Sequence, residues 1–288
     1  MRKSITLRAF PEHVPIEECL ELARRAGFEG VEVNLEPGGV VTLDSTCGEL
    51  ESFRAQVESA GLAVSAVYSR QEWSFPITSQ VKERRQRGQA IIESLVKAAP
   101  SLGTNVVLTL PGAVDNSLFA ADPELVGYEI AYATAQEVLG DVARRVASDA
   151  GVILAIENTW NKFLLSPLEF AQFIDEIGSP YVAAYFDVGN ALRTGVPEDW
   201  IRLLGSRIKR VHVKDFRNSV GNINGFVNLL EGDVNWPAVI QSLRKVGYDA
   251  WLTAEVLPSY RHHWHRLIEG TAAAMDSIID DSSEELNR

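Results

Sequence analysis

Residues 26–33 of the chain, AGFEGVEV, run from a helix-like pattern through a glycine into an apolar, β-branched run. Upstream, Ile16–Ala26 alternates leucines and charged residues with the period of an amphipathic helix. Gly27 matches the glycine that commonly follows the last turn of a helix. The stretch therefore predicts a helix, a tight turn and a buried strand.

The same order of helix, glycine and strand recurs along the whole chain. Further instances are AGLAVSAV (60–67), LGTNVVLT (102–109), AGVILAI (150–156) and VGYDAWLT (246–253). In all, eight strand-like runs begin near Ser4, Gly30, Leu62, Thr104, Val152, Tyr181, Ile208 and Ala250. Predicted helices separate them, at residues 16–26, 49–60, 79–102, 137–150, 167–177, 236–246 and 267–279.

Strands that are apolar on both faces and alternate with helices are typical of a parallel sheet covered by helices. Eight such strands in 288 residues fit an α/β fold of the (β/α)8 TIM barrel type, which takes about 250 residues. A doubly wound open sheet is the alternative, but residues 7–11 lack its glycine-rich nucleotide loop. Because no linker divides the chain, we expect one barrel over 1–280 and a frayed tail over 281–288.

The composition excludes several classes of protein. The chain has 27 Lys and Arg against 39 Asp and Glu, a formal charge of −12 that repels nucleic-acid backbones. No apolar run approaches the ~20 residues of a membrane helix, and the N-terminus lacks a secretory signal. Two cysteines do not make a disulfide framework. We therefore expect a cytoplasmic protein that binds neither nucleic acid nor membrane.

Function in a barrel belongs at the carboxyl ends of the strands. Polar side chains lie there on the fifth to eighth predicted strands, in the order Glu157, Asp187, His212 and Glu255. Alternation along each strand points them towards a common place, where three carboxylates would repel one another. A divalent cation resolves this, and the donor set suits Mn²⁺, Mg²⁺ or Co²⁺ better than Zn²⁺, which stays an alternative. The other interpretation is four separate strand ends in salt bridges.

Several motifs in this region together resemble a known family. IENTW (156–160), YFDVGN (185–190), VHVKD (211–215) and TAEV (253–256) follow the order found in xylose-isomerase-like sugar isomerase and epimerase barrels. Residues 225–237, GFVNLLEGDVNWP, are similar to the turn before that family's last helix–strand unit. The resemblance is closest to the ketose-phosphate branch, the L-xylulose or L-ribulose 5-phosphate 3-epimerases.

This resemblance implies a metal-dependent epimerase. Matched position by position, the family's metal ligands are Glu157, Asp187, His212 and Glu255. Glu157 and Glu255 also match its two catalytic bases. A metal chelated by the ketose carbonyl and the neighbouring hydroxyl stabilises a cis-enediolate. One glutamate removes a proton from one face and the other returns a proton to the opposite face, which is 3-epimerisation.

Departures from the free-ketose 3-epimerases favour a phosphorylated substrate. Those enzymes have a glutamate and a histidine where this chain has Phe163 and Asn190, and Asn190 agrees with the phosphate-sugar branch. Candidates to bind the sugar or its phosphate follow the catalytic strands, namely Asn190, Lys214, Arg217, Lys162, Arg193 and Trp160. For each cation, the alternative is an ion pair with an acid at the rim.

Other functions on the same barrel stay open. An aldose–ketose isomerase of the hydroxypyruvate type would return the proton to the neighbouring carbon, and an inosose-type dehydratase would expel a hydroxyl. A barrel that binds a sugar as a sensor is the non-enzymatic alternative, although the complete ligand set argues against it. The expected partners are a small sugar or sugar phosphate and, from the resemblance, further copies of the chain in a homodimer or homotetramer.

Two features lie outside these motifs. Glu32, within the second predicted strand, is expected to be a solvated or paired structural acid, and the alternative is a group that supports the metal ligands from behind. Residues 73–76 are expected to lie in an extended loop, where aromatic side chains make a candidate lid. Neither prediction depends on the family resemblance.

Overall fold

Parallel strands close into a barrel in the computed structural model, which describes residues 1–256, 260 and 262–280. The barrel strands of this part of the chain are β1 Arg2–Thr6, β2 Gly30–Asn34, β3 Ala63–Tyr68, β4 Val106–Thr109, β5 Ile153–Glu157, β6 Val182–Asp187, β7 Ile208–Val213 and β10 Trp251–Ala254. Neighbours follow chain order, and β1 pairs with both β2 and β10. The predicted (β/α)8 barrel and its eight strands are confirmed.

Helices follow most of these strands. Their bounds are α1 Ile16–Ala26, α2 Cys47–Ser59, α3 Gln71–Ser74, α4 Lys82–Ala98, α5 Tyr128–Val142, α6 Ser148–Ala150, α7 Pro167–Ile177, α8 Val188–Ala191, α9 Pro197–Leu204, α10 Trp236–Lys245 and α11 His265–Asp280. A π-helical turn, Ala143–Ala147, joins α5 to α6. Within the described residues, none of these helices is long and apolar enough to span a membrane. The predicted tail, 281–288, lies outside the described residues.

Local signals in the sequence explain where α1 and α7 begin and end. Gly27 takes a left-handed φ of 98° directly after α1, a conformation that glycine adopts without steric cost. Ser166 caps α7 by accepting the backbone N–H of Glu169 at 3.2 Å, and Pro167 occupies the first turn. Both helices therefore have the predicted bounds.

The predicted bounds of the helices at 79–102 and 137–150, and the predicted loop at 73–76, differ more from the structure. The predicted helix 79–102 starts at Lys82, because Glu124 binds the side chain of Ser79 at 2.6 Å and the backbone N–H of Gln80 at 2.7 Å. Helix α5 starts at Tyr128 rather than 137, in a stretch whose buried positions are mainly alanines and give a weak apolar pattern. The expected extended loop at 73–76 is partly helical, since α3 includes Trp73.

The described residues form two compact units, of which the first comprises Met1–Val33, Ala55–Ser65 and the described part of 186–280. In this unit, α9 packs through Trp200, whose ring stacks on Phe186 with centroids 6.2 Å apart. It also contains an antiparallel pair of short strands that the sequence did not predict, β8 (Asp215–Phe216) and β9 (Phe226–Val227). This pair lies in the loop that follows β7.

The second unit comprises Asn34–Arg54 and Ala66–Tyr185. Its strands share a buried cluster of Ala66, Tyr68, Val106, Leu108, Ala155 and Tyr185. Since side chains alternate along a strand, the face of β5 that carries Ala155 also carries Glu157. The core of this unit therefore fixes the direction of the last side chain of β5.

Candidate active site

The four predicted ligands come together at the ends of their strands. One ligand atom of each lies within 4.8 Å of those of the other three, in a group that we call the ligand cluster: Glu157, Asp187, His212 and Glu255. Their strands, β5, β6, β7 and β10, are consecutive neighbours in the barrel. Three carboxylate oxygens and one imidazole nitrogen suit a divalent cation, because hard oxygen donors dominate the set.

Asp187 is held at the junction between β6 and α8. Its Oδ1 accepts the backbone N–H of Asn190 at 2.7 Å and so caps the short helix. The side chain of Asp187 is fully buried, and its Oδ2 lies 3.7 Å from Nδ1 of His212. One carboxylate oxygen is thus used for structure, while the other faces the cluster.

Gly189 allows α8 to approach the strand next to it. A Cβ atom at this position would lie 2.7 Å from the carbonyl oxygen of Lys214, which is closer than van der Waals contact permits. Lys214 directly follows β7, the strand that carries His212. The glycine of the DVGN motif therefore brings the turn after Asp187 against the end of β7.

Glu32, on β2, orients His212. Both of its carboxylate oxygens lie close to Nε2 of the imidazole, at 3.1 and 3.2 Å, and both residues are buried. A carboxylate there favours the tautomer in which Nε2 donates a proton and Nδ1 keeps its lone pair. Nδ1 faces Asp187 and Glu255 at 3.7 and 3.6 Å, so the ligating nitrogen is aimed into the cluster. Glu32 is therefore a fully buried, paired acid rather than a solvated one, and its partner is a ligand residue, as the alternative role for Glu32 expected.

Cations contact both oxygens of Glu255. The ammonium of Lys214 contacts Oε2 and also lies 3.0 Å from Oδ2 of Asp187. The guanidinium of Arg8, which follows β1, lies 3.6 Å from Oε1. Burial opposes ionisation of Glu255, but the charge of the Lys214 ammonium, with smaller effects of His212 and Arg8, outweighs burial and holds its pKa well below the ordinary value. Arg8 is not among the predicted site residues, because residues 7–11 contain no motif that marks a binding site.

Glu72, on α3, is a fully buried carboxyl group that the sequence does not single out and that lies within electrostatic range of Glu157. Its Oε2 accepts the hydroxyl of Thr109 at 2.7 Å and the N–H of Leu110 at 3.0 Å, whereas the buried Oε1 has no hydrogen-bond partner among the described residues. Burial raises the pKa of Glu72 to about 8, and the charges of Glu157 and Glu36 add to this effect. Burial therefore favours the neutral form of Glu72 near neutral pH.

This neutral acid predicts a specific pH dependence of stability. Between its ordinary pKa of 4.5 and about 8, the folded chain keeps a proton that the unfolded chain has released. The free energy of unfolding should therefore fall as pH rises through this window, by about 1.4 kcal/mol per pH unit. Glu72→Gln lacks this contribution, because glutamine does not titrate. We expect the free energy of unfolding of the variant, measured with urea at pH 5, 6.5 and 8, to rise relative to that of the wild type as pH increases. Parallel profiles would contradict the assignment.

The remaining predicted substrate residues divide into two groups. Asn190 is buried beside Asp187, and Lys214 contacts two members of the ligand cluster. In contrast, Lys162 is exposed and pairs with Asp115 at 2.7 Å. This is the ion pair at the rim that was the alternative to substrate binding for each candidate cation.

The other three predicted substrate residues lie in loops after the strands. Trp160 is half-buried, and Arg193 and Arg217 are exposed. Arg217 donates from Nε to the carbonyl oxygen of Glu231 at 2.8 Å, so its guanidinium is tied to the loop that follows β9. The structure therefore brings Asn190 and Lys214 to the cluster and places Lys162 and Arg217 in contacts with loop residues.

One buried carboxylate anchors the turn at 225–237. Asp215 accepts the backbone N–H groups of Leu230 and Val234 at 2.9 and 3.3 Å, and the indole N–H of Trp236 at 3.2 Å. Asp215 is 1% exposed, so these bonds are shielded from water. The aspartate of the VHVKD motif therefore fixes the loop that leaves β7.

Comparisons with known proteins agree with this fold. A relative from Escherichia coli (strain K12), provisionally named L-ribulose-5-phosphate 3-epimerase SgbU, is 25% identical over 255 residues, or 84% of this chain and 83% of its own. A solved L-ribulose 3-epimerase has a TM-score of 0.79 at 20% identity and covers 99% of this chain and 97% of its own. A magnesium complex of a xylose isomerase-like TIM barrel protein from Mycobacterium smegmatis has a TM-score of 0.72 at 17% identity, covering 98% and 97%.

The two solved structures show the same fold as this chain. The sequence model described as the xylose isomerase-like TIM barrel matches residues 20–278, which is most of the chain. The match spans all four positions of the ligand cluster. This chain therefore belongs to the xylose isomerase-like TIM barrel family.

Proposed function

We propose that the protein is a divalent-metal-dependent sugar phosphate isomerase or epimerase, and most specifically a ketose-phosphate 3-epimerase. The observation that carries this proposal is the ligand cluster, in which three carboxylates and an imidazole converge at the carboxyl ends of adjacent strands. The relative named L-ribulose-5-phosphate 3-epimerase and the solved L-ribulose 3-epimerase support the reaction and the class of substrate.

The order of the strands suits inversion at a carbon centre. Glu157 and Glu255 stand on β5 and directly after β10, at the two ends of the row of ligand strands, with Asp187 and His212 between them. Two carboxylates at opposite ends of a site can address opposite faces of a planar enediolate. One removes the proton from C3, and the other delivers a proton to the other face.

The ligand cluster would hold the metal ion, and residues around it would bind the sugar. A divalent ion, Mn²⁺ in the first instance, would be held by all four residues and would supply positive charge that stabilises the enediolate oxygens. Asn190 and Lys214, which lie beside the cluster, are proposed to bind sugar oxygens. Arg193, Arg217, Lys162 and Trp160 stay candidates for the distal part of the substrate.

The assembly and the compartment are also proposals. The family resemblance suggests a homodimer or homotetramer, which light scattering of the purified protein would measure. Two cysteines, one buried and one exposed, suit a reducing cytoplasm.

The decisive experiment is solvent deuterium exchange with Mn²⁺ across matched pairs of ketoses and ketose phosphates. We expect deuterium at C3 of a ketose phosphate, together with its 3-epimer, at a higher rate than with the matching free ketose. Exchange at C1 would indicate a 1,2-isomerase, and loss of water a dehydratase. Absence of exchange with every sugar and metal would contradict the proposed function and favour a sugar-binding protein.

A further inference from the structure

We propose that Lys214 is the internal cation of the ligand cluster: its ammonium holds Asp187 and Glu255 together when no divalent ion is bound, and leaves them when the ion enters. This inference rests on the proposed metal site. It adds a role for one residue of the chain that neither the resemblance nor the comparisons assign.

The first argument is geometric. Nζ of Lys214 lies 3.0 Å from Oδ2 of Asp187 and contacts Oε2 of Glu255. Nδ1 of His212 faces the same two oxygens, at 3.7 and 3.6 Å. An ion held by the imidazole and by these oxygens would therefore compete with the ammonium for them.

The second argument concerns charge. Asp187 is fully buried and Glu255 is largely so, and two carboxylates that share a site out of water repel one another strongly. The ammonium supplies the positive charge that this arrangement needs before an ion arrives. Without Lys214, the negative charges of three carboxylates would be balanced only by the imidazole and by Arg8, which lies further away.

The third argument is that the surroundings of Lys214 allow its ammonium to move away from the carboxylates. Its side chain is 13% exposed, and its Nζ lies 4.8 Å from the centre of the Phe226 ring on β9. A flexible four-carbon stem lets the ammonium move while the backbone of β7 stays in place. The cation–π contact with Phe226 is present while the ammonium contacts the carboxylates, and it can persist when the ammonium leaves them.

Arg8 provides a matched control. Its guanidinium lies 3.6 Å from Oε1 of Glu255, the oxygen that does not face His212. Arg8→Met therefore removes one positive charge beside the same carboxylate without removing a competitor for the shared oxygens. Any general effect of a lost positive charge on metal affinity appears in both variants.

The test is Mn²⁺ titration calorimetry and thermal unfolding of the chelator-treated protein. Lys214→Met should bind Mn²⁺ about tenfold or more tightly than the wild type, unfold at a lower temperature without metal, and gain more from added Mn²⁺. Arg8→Met should change the affinity by less than about threefold. Lys214→Met that folds only with Mn²⁺ also supports the proposal, because the ion then replaces the missing cation.

The outcomes separate this inference from the proposed function. If the wild type binds no divalent ion, the metal site itself is wrong. If the wild type binds Mn²⁺ but Lys214→Met binds it no more tightly, only the role of Lys214 is overturned. Should Lys214→Met fail to fold with or without Mn²⁺, the same titration of Lys214→Gln, which keeps a hydrogen-bond donor, decides by the same criterion.

Discussion

Glu157→Gln and Glu255→Gln should each lower kcat for epimerisation by about 10²–10⁴-fold, the usual contribution of a general acid or base. Glutamine keeps the shape of the side chain and an oxygen that can face the cluster, but it cannot accept the C3 proton. Each variant should still bind Mn²⁺, with reduced affinity. Rates of epimerisation and of C3 deuterium exchange, measured alongside Mn²⁺ titrations, check this.

Asp141→Asn is the control for the loss of one acid. Asp141 lies on α5 and pairs with Arg145 four residues further along the chain, so the substitution removes a carboxylate without touching the cluster. We expect its kcat to match that of the wild type. Full activity of either glutamate variant would disprove the two-base mechanism.

The second large effect is a loss of Mn²⁺ affinity on substitution of Glu32. Replacing Glu32 with alanine should weaken Mn²⁺ binding by about 10–100-fold, because His212 loses the carboxylate that fixes its ring and its tautomer. Glu32→Gln should lie between this variant and the wild type, since the amide oxygen can still accept the Nε2 proton. Titration calorimetry of the three proteins measures the order.

Glu29→Gln is the matched control for this series. Glu29 lies just before β2, is exposed and pairs with Arg2 at 3.2 Å, away from the imidazole. We expect its Mn²⁺ affinity to be unchanged. Equal affinities for Glu32→Ala and the wild type would show that His212 needs no partner at Nε2.

Much of the barrel could be predicted from sequence because its signals are local. The strands are short apolar runs, most of them shortly after a glycine, and Ser166 and Pro167 mark the start of α7 within two residues. Helix α9 was not predicted, since eight residues sample the helical period only about twice. It buries Pro197, Trp200, Ile201 and Leu204, and the stacking of Trp200 on Phe186 is a contact that only the fold brings about.

In the candidate site too, features with local sequence signals could be predicted, and contacts that only the fold creates could not. The four ligands were predictable because each terminates or lies within an apolar run, and a parallel barrel gathers such ends. The pairing of Glu32 with His212 could not be read from the sequence, because the contact is long-range: Glu32 is 180 residues from His212 along the chain, and β2 is not adjacent to β7. Glu72 and Arg8 lie in connections whose sequence shows no period.

Gly189 has a consequence for attempts to change the sugar that the protein accepts. The turn after Asp187 can approach the end of β7 because position 189 has no side chain, and a Cβ atom there would collide with the carbonyl oxygen of Lys214. A mutant library should therefore leave position 189 as it is. Residues 217–222, which are exposed in the loop after β8, offer diversity that leaves the spacing of the metal-binding atoms intact.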